Sequence, residues 1–240
     1  IKYIRAILKL YNDRGVPVRF TWTNSLLEEK HIYDTYCNLI MKEADNGMNQ
    51  VLVNRSVLEE YIRRQYPGFK LISSTTKRIT GLDGLLEELN KDYFLVVLDY
   101  DLNHNEEVLS AIGKQADKVE ILVNEICYPG CPKRSEHYRQ QSQMQLEYDI
   151  DAAFPCPNKT RERKFEECKE RPSFISREQI REYVDRGFVN FKIVGRGMPM
   201  DFVKESYLYY LVKDDSRAFI RNKMESTLNQ FAQAMKKRKA

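Results

Sequence analysis

Short apolar runs alternate with segments of helical period along most of the chain, and this alternation constrains the fold more than any other feature. Ile1 to Asn12 carries Ile4, Ile7, Leu8 and Tyr11 at helical spacing, and Gly15 stands where such a helix ends. Val16 to Asn24 reads as a strand. A helix over Glu29 to Asn46 follows, with Ile32, Tyr33, Tyr36, Cys37, Ile40, Met41 and Ala44 on one face. The beat repeats with strand Val51–Asn54 and helix Ser56–Tyr66, then strand Phe69–Thr75 and helix Asp83–Lys91. Strand Tyr93–Tyr100, helix 105–116 and strand 119–125 continue it. It breaks between Ile126 and Pro172 and resumes with helix 176–186, strand 190–196 and helix 200–212. A final helix from Ser216 to about Lys237 has Ile220, Met224, Leu228, Phe231 and Met235 along one stripe.

Six strands alternating with helices imply a parallel sheet with right-handed crossovers. An open doubly wound sheet and a closed barrel both fit that count. No glycine-rich phosphate loop follows any strand, which argues against a dinucleotide-binding sheet. The strand ends are polar instead: Asn24, Asn54 and Arg55, Ser73 to Thr75, Asp99 and Asp101, Asn124 and Glu125, and Arg196. In a barrel those ends converge on one pocket. The expectation is therefore an α/β chain forming a (β/α)8 TIM-like barrel over 1–215, with an irregular cysteine-rich insertion at 126–172. Residues 216–240 add a helix and a basic tail. A barrel needs eight strands, so about two are expected upstream of Ile1, where the chain opens without a methionine.

The 240 residues are enough for one sizeable core, and 42% hydrophobic with 31% charged residues is ordinary for a globular protein. A net charge of +4 is too mild to argue for nucleic acid by itself. No apolar run approaches the roughly 20 residues of a membrane helix. Five cysteines are too few for a disulfide scaffold of this length, so a reducing cytoplasmic setting is the expectation.

Four of those cysteines lie in the irregular region: Cys127 and Cys131, then Cys156 and Cys168, bracketed by Pro129, Gly130, Pro132, Pro155 and Pro157. Thiolates are the ligands that zinc and iron–sulfur clusters select. The three-residue gap between Cys127 and Cys131 departs from the two-residue gap of zinc knuckles, which favours a cluster over zinc. Cys37, on an apolar helical stripe, reads as a core residue. Glu125, His137 and Tyr138 are the candidates for proton handling beside the metal. Alternatively, His137 and Tyr138 pack the start of a helix reaching Gln145. Arg134 and Arg196 offer cations for an anionic substrate, and Asn54, Ser74 and Asn124 are strand-end substrate contacts. Lys192 alternates with Phe191 and Ile193, so it points either into a pocket or at Glu120 or Asp99 in a structural ion pair.

The string NEICYPGCPKRSEHY at 124–138 resembles the signature of the collagenase-like peptidase family of unassigned catalytic type. The resemblance extends to 51–79 and 174–197 and covers most of 16–212. It implies a β/α barrel and a [4Fe-4S] cluster on Cys127, Cys131, Cys156 and Cys168. It also implies oxygen-independent hydroxylation of a quinone precursor or an RNA base, with an electron donor or partner subunit. The family name implies a peptidase, and a non-catalytic cluster-binding subunit is a further alternative. No Gly-x-Ser-x-Gly elbow or His-Glu-x-x-His helix supports hydrolysis, and only three histidines are present.

Overall fold

The computed structural model describes residues 1–149, 153–156 and 163–237. Its strands are β1 (Arg19–Trp22), β2 (Gln50–Val53), β3 (Lys70–Ser73), β4 (Leu95–Val97), β5 (Val119–Leu122) and β6 (Asn190–Lys192). Its helices are α1 (Lys2–Asn12), α2 (Thr35–Ala44), α3 (Ser56–Gln65), α4 (Leu82–Leu89) and α5 (Glu106–Ile112). They continue with α6 (Arg134–Glu147), α7 (Phe165–Lys169), α8 (Arg177–Asp185), α9 (Met200–Leu211) and α10 (Arg217–Lys237).

The strands pair in chain order and every pairing is parallel, with Arg19 opposite Gln50 and Glu120 opposite Asn190. The middle strands are buried along their length, as a parallel sheet covered by helices requires. One face carries Val51, Val53, Leu71, Val96, Leu98, Val119, Ile121 and Val123 into the main core beneath the helices. The other carries a small separate cluster of Leu52, Ile72, Leu95, Val97 and Leu122. Period-two alternation produces this division.

The second face is concave. Arg19 on β1 bonds both carboxylate oxygens of Glu120 on β5, at 2.6 and 2.7 Å. Four strand spacings in a flat sheet would hold their backbones about 19 Å apart, too far for two side chains to bridge. The sheet must curl to bring them together.

Curling is not closure, and here the sequence expectation is corrected. Among the described residues the sheet has six strands, β1 and β6 are its two edges, and they do not pair with each other. The molecule is an open, all-parallel half-barrel and not a closed eight-stranded one. Strand count and polar strand ends are common to open and closed parallel sheets. They report where a site forms, and they do not report whether the edges meet.

The cysteine-rich region is more regular than its sequence suggests, since α6 and α7 both form within it. The α6 sequence, RSEHYRQQSQMQLE, is polar all round and carries no apolar stripe to announce a helix. The helix is docked from outside. Asn24 donates to the Ser142 carbonyl at 2.8 Å, and the Ser25 amide donates to the Ser142 hydroxyl at 3.0 Å.

Candidate functional site

The C-terminal ends of the strands hold a network of alternating charge. Asp99, just past β4, accepts the Asp101 amide at 3.0 Å and so shapes the turn over Tyr100–Leu102. Arg78 adopts a left-handed backbone with φ of 59°, which aims its guanidinium at both Asp99 oxygens and at Asp101. Arg134 opens α6 and donates to Asp101 at 2.9 Å, with its guanidinium 3.9 Å from the Tyr100 ring centroid. Its side chain is 1% exposed. Two arginines facing two aspartates balance the buried charge, without which the site would be costly to desolvate.

Arg134 also reaches the first cysteine. Its Nη2 donates to the Tyr128 carbonyl and lies 3.6 Å from Cys127 Sγ, while its Nε is buried with no hydrogen-bond partner among the described residues. Glu125 accepts the Cys127 amide at 3.0 Å, and burial pushes its carboxyl above the usual range. Burial likewise pushes Tyr138 up to about 12. For His137 the cause is the same and the sign opposite: burial, then the Arg134 charge, lowers it. Its ring stacks on Phe154 with centroids 4.5 Å apart.

Glu125, Cys127, Arg134, His137, Tyr138 and Cys156 line one cavity of about 490 Å³. A second, of about 330 Å³, occupies the concave face and is lined by Ser74, Glu125, Tyr138, Lys192 and Arg196. A third, of about 730 Å³, lies toward β1 and is walled by Trp22, Cys37, Tyr61 and Met144. Gln141 and Arg196 line all three, so the cavities form one groove around α6.

The other predicted positions fare differently. Ser74 lines the concave cavity while its hydroxyl accepts the Thr76 amide. Asn54 is spent on Thr76, at 2.9 Å. Asn124 is fully buried, accepts the Val194 amide at 2.6 Å and donates to the Val194 carbonyl and the Ser206 hydroxyl. That clamp holds the end of β6 and leaves Asn124 no reach into the groove. Lys192 does both things its spacing allowed: it lines the concave cavity and stands 3.5 Å from Glu120. Arg78, Asp101, Tyr100 and Gln141 were not singled out as site residues. Only Asp101 had a signal, as a polar strand end.

None of the five cysteines forms a disulfide. Cys127 and Cys156 share the wall of the cavity. Cys168 is buried behind that wall with Phe165 and Phe202, its Sγ 3.9 Å from the Glu125 carbonyl, and burial pushes its thiol up to about 12. Cys131 lies in the turn before α6, where its carbonyl accepts the Arg134 amide. Cys37 is half-buried at the start of α2, beside the largest cavity and away from the other four. The donor set suits a thiolate-bound metal: four reduced thiols in one region, with a guanidinium N–H beside one sulfur. The sulfurs themselves do not converge. Among the described residues no three His, Cys, Asp or Glu side chains are grouped closely enough to hold an ion.

No family model matches the chain. In sequence it is 27% identical over 184 residues to a curated protein of Methanocaldococcus jannaschii named "Uncharacterized protease MJ1657", covering 74% of this chain and 54% of the relative. The chain thus spans about half the length of the curated relative it matches. In structure it is similar to the U32 peptidase Mk0906, with a TM-score of 0.53 at 21% identity, covering 82% of this chain and 76% of the other. At that identity the structural likeness speaks for the fold. With the sequence match to a protein named a protease, it is consistent with the resemblance to the collagenase-like, or U32, peptidases read from the cysteine loop. Among the described residues no helix is long and apolar enough to cross a membrane.

Proposed function

We propose that this chain is a cluster-binding half-barrel in which Cys127, Cys131, Cys156 and Cys168 hold a [4Fe-4S] cluster beside the groove, serving redox or oxygen-independent hydroxylation chemistry. The observation that carries this reading is the placement of Cys127 and Cys156 on one cavity wall, with the buried Arg134 guanidinium 3.6 Å from the Cys127 sulfur. Drawing all four sulfurs onto one centre requires the cysteine loop to close, and metal binding commonly supplies the free energy for such ordering. When bound, a cluster supplies one-electron transfer at a potential set by nearby charge and N–H···S contacts.

The chain's own residues do the rest. Arg134 keeps positive charge against the Cys127 sulfur. Arg196, common to all three cavities, is placed to hold an anionic group of a small-molecule or RNA substrate. Glu125, His137 and Tyr138 face the same space at positions suited to passing protons. Hydroxylation without oxygen withdraws two electrons from the substrate, so an electron acceptor or an oxygen-atom donor, and with it a redox partner, belongs to this reading.

The names of both relatives favour a second reading, peptide-bond hydrolysis. The groove lacks, among the described residues, a cysteine or serine hydrogen-bonded to a histidine, the usual activated nucleophile.

Serine substitutions separate the readings. Each of Cys127→Ser, Cys131→Ser, Cys156→Ser and Cys168→Ser is expected to lower iron retention after anaerobic reconstitution, and Cys37→Ser to leave it unchanged. Equal iron in all five variants would overturn the cluster. Cleavage of a gelatin-type peptide by iron-free protein would promote the peptidase.

A further inference from the structure

Lys192 stands in an unusual balance of charge on the concave face. Arg19, coming from β1, takes both oxygens of Glu120 at 2.6 and 2.7 Å and also bonds Gln50 at 2.8 Å. Lys192, coming from β6, is left 3.5 Å from the same carboxylate. Two cations therefore share one anion, and Glu120 is only 5% exposed. An arginine does not release its proton in a protein. Of the two cations, the lysine is therefore the one whose proton is easier to remove. The charged groups that face it agree: burial, Arg19 and Arg196 lower Lys192 below the ordinary lysine range, and Glu120 opposes them.

Lys192 also lines the concave cavity of about 330 Å³, together with Ser74, Thr75, Glu125, Tyr138 and Arg196. Thr75 is part of the same wall, and its hydroxyl is buried with no hydrogen-bond partner among the described residues. A desolvated lysine flanked by other cations is the setting in which an amine becomes a nucleophile toward carbonyl carbon.

We propose that this cavity binds a small aldehyde or 2-oxo acid and that Lys192 condenses with its carbonyl to form an imine. The amine nitrogen bonds to the carbonyl carbon, and the carbonyl oxygen takes up the two amine protons. That oxygen leaves as water while the C=N bond forms. Nothing is oxidised or reduced, and no co-reactant is needed. Arg196 accounts for a carboxylate on the ligand. The inference does not rest on the cysteine centre, since none of these side chains is one of the four thiols, although Arg196 and Tyr138 serve both readings.

Glyoxylate with sodium cyanoborohydride at pH 7 is the test, using the full chain and mapping reduced adducts by peptide mass spectrometry. Lys192 is expected to label several-fold faster than surface lysines, because burial and the neighbouring arginines leave more of it as the free amine. Lys192→Met should lose that fast adduct while its circular dichroism stays unchanged. Arg19→Met, by returning Glu120 to Lys192 alone, should slow labelling at this position several-fold. Labelling of Lys192 no faster than the surface lysines in the native chain would overturn the proposal. So would an unchanged Lys192 rate in a folded Arg19→Met protein.

Discussion

Arg134 fastens the first residue of α6 to the strand ends, and the wall of the groove depends on it. Its fully buried guanidinium bonds Asp101 and the Tyr128 carbonyl and stacks on Tyr100. Arg134→Met would leave Asp101 and Asp99 with Arg78 as their remaining cation. Breaking a buried pair from one side costs about 3–5 kcal/mol, measurable as a lower urea midpoint. Glu88 makes a second prediction. Burial on its own would raise its carboxyl, yet bonds from Lys77, Lys91 and Ser73 outweigh that and hold it at about 2. A carboxyl depressed in the folded state stabilises above its unfolded pKa, so this contribution is complete above about pH 4.5 and is lost as pH falls toward 2. Glu88→Gln should remove up to about 3 kcal/mol at neutral pH and flatten the acid limb of the stability profile. At this scale the sequence was readable where chemistry is concentrated. Cys127, Arg134, His137 and Tyr138 declared themselves by residue type and proximity, and the structure places them on one cavity. Arg78 could not be read, because a left-handed arginine between a strand and a helix leaves no mark in composition. Asn124 was misleading for a physical reason: a polar strand end serves equally well as a clamp on the neighbouring strand.

At the scale of elements, periodicity served well for helices with a buried face and failed for α6. That helix is held by its position over the open groove and by Asn24 and Ser25, not by an apolar stripe. Ser142 is a second point of attachment, beyond Arg134 at the start of the helix. Ser142→Ala removes the acceptor for the half-buried Ser25 amide and should cost about 1–2 kcal/mol. The loss should fall locally: amide exchange in α6 is expected to quicken, while β2 to β5 keep their protection. Uniform acceleration across the sheet would show that α6 is integral to the core and not a docked cover. The strands tell the complementary story. Buried runs such as VLV in β2 and LVV in β4 are legible because both faces of a parallel strand are covered. The ends of β4 were read too long, since Asp99 turns the chain immediately past Leu98.

At the scale of the whole molecule, local pattern reached its limit. The parallel sense of the strands followed from alternation with helices, while their order followed only once the barrel was preferred to a doubly wound sheet. Closure did not follow, because whether β1 meets β6 is a property of the summed twist and stagger of every strand. The open half-barrel nevertheless performs the task that made the barrel attractive, gathering the C-terminal strand ends into one concavity beneath α6. The same limit applies to the cysteines. Their residue type and clustering suggest a thiolate-bound centre, yet the chain's packing brings only Cys127 and Cys156 to a common wall.

The measurement that tests the central claim most directly is iron and acid-labile sulfide content, with the visible spectrum, of the full chain reconstituted anaerobically. The account predicts about four iron and four sulfide per chain and a broad absorption that bleaches on reduction, as a cluster held by four cysteines requires. One zinc per chain with no visible band, or no metal at all, would contradict it.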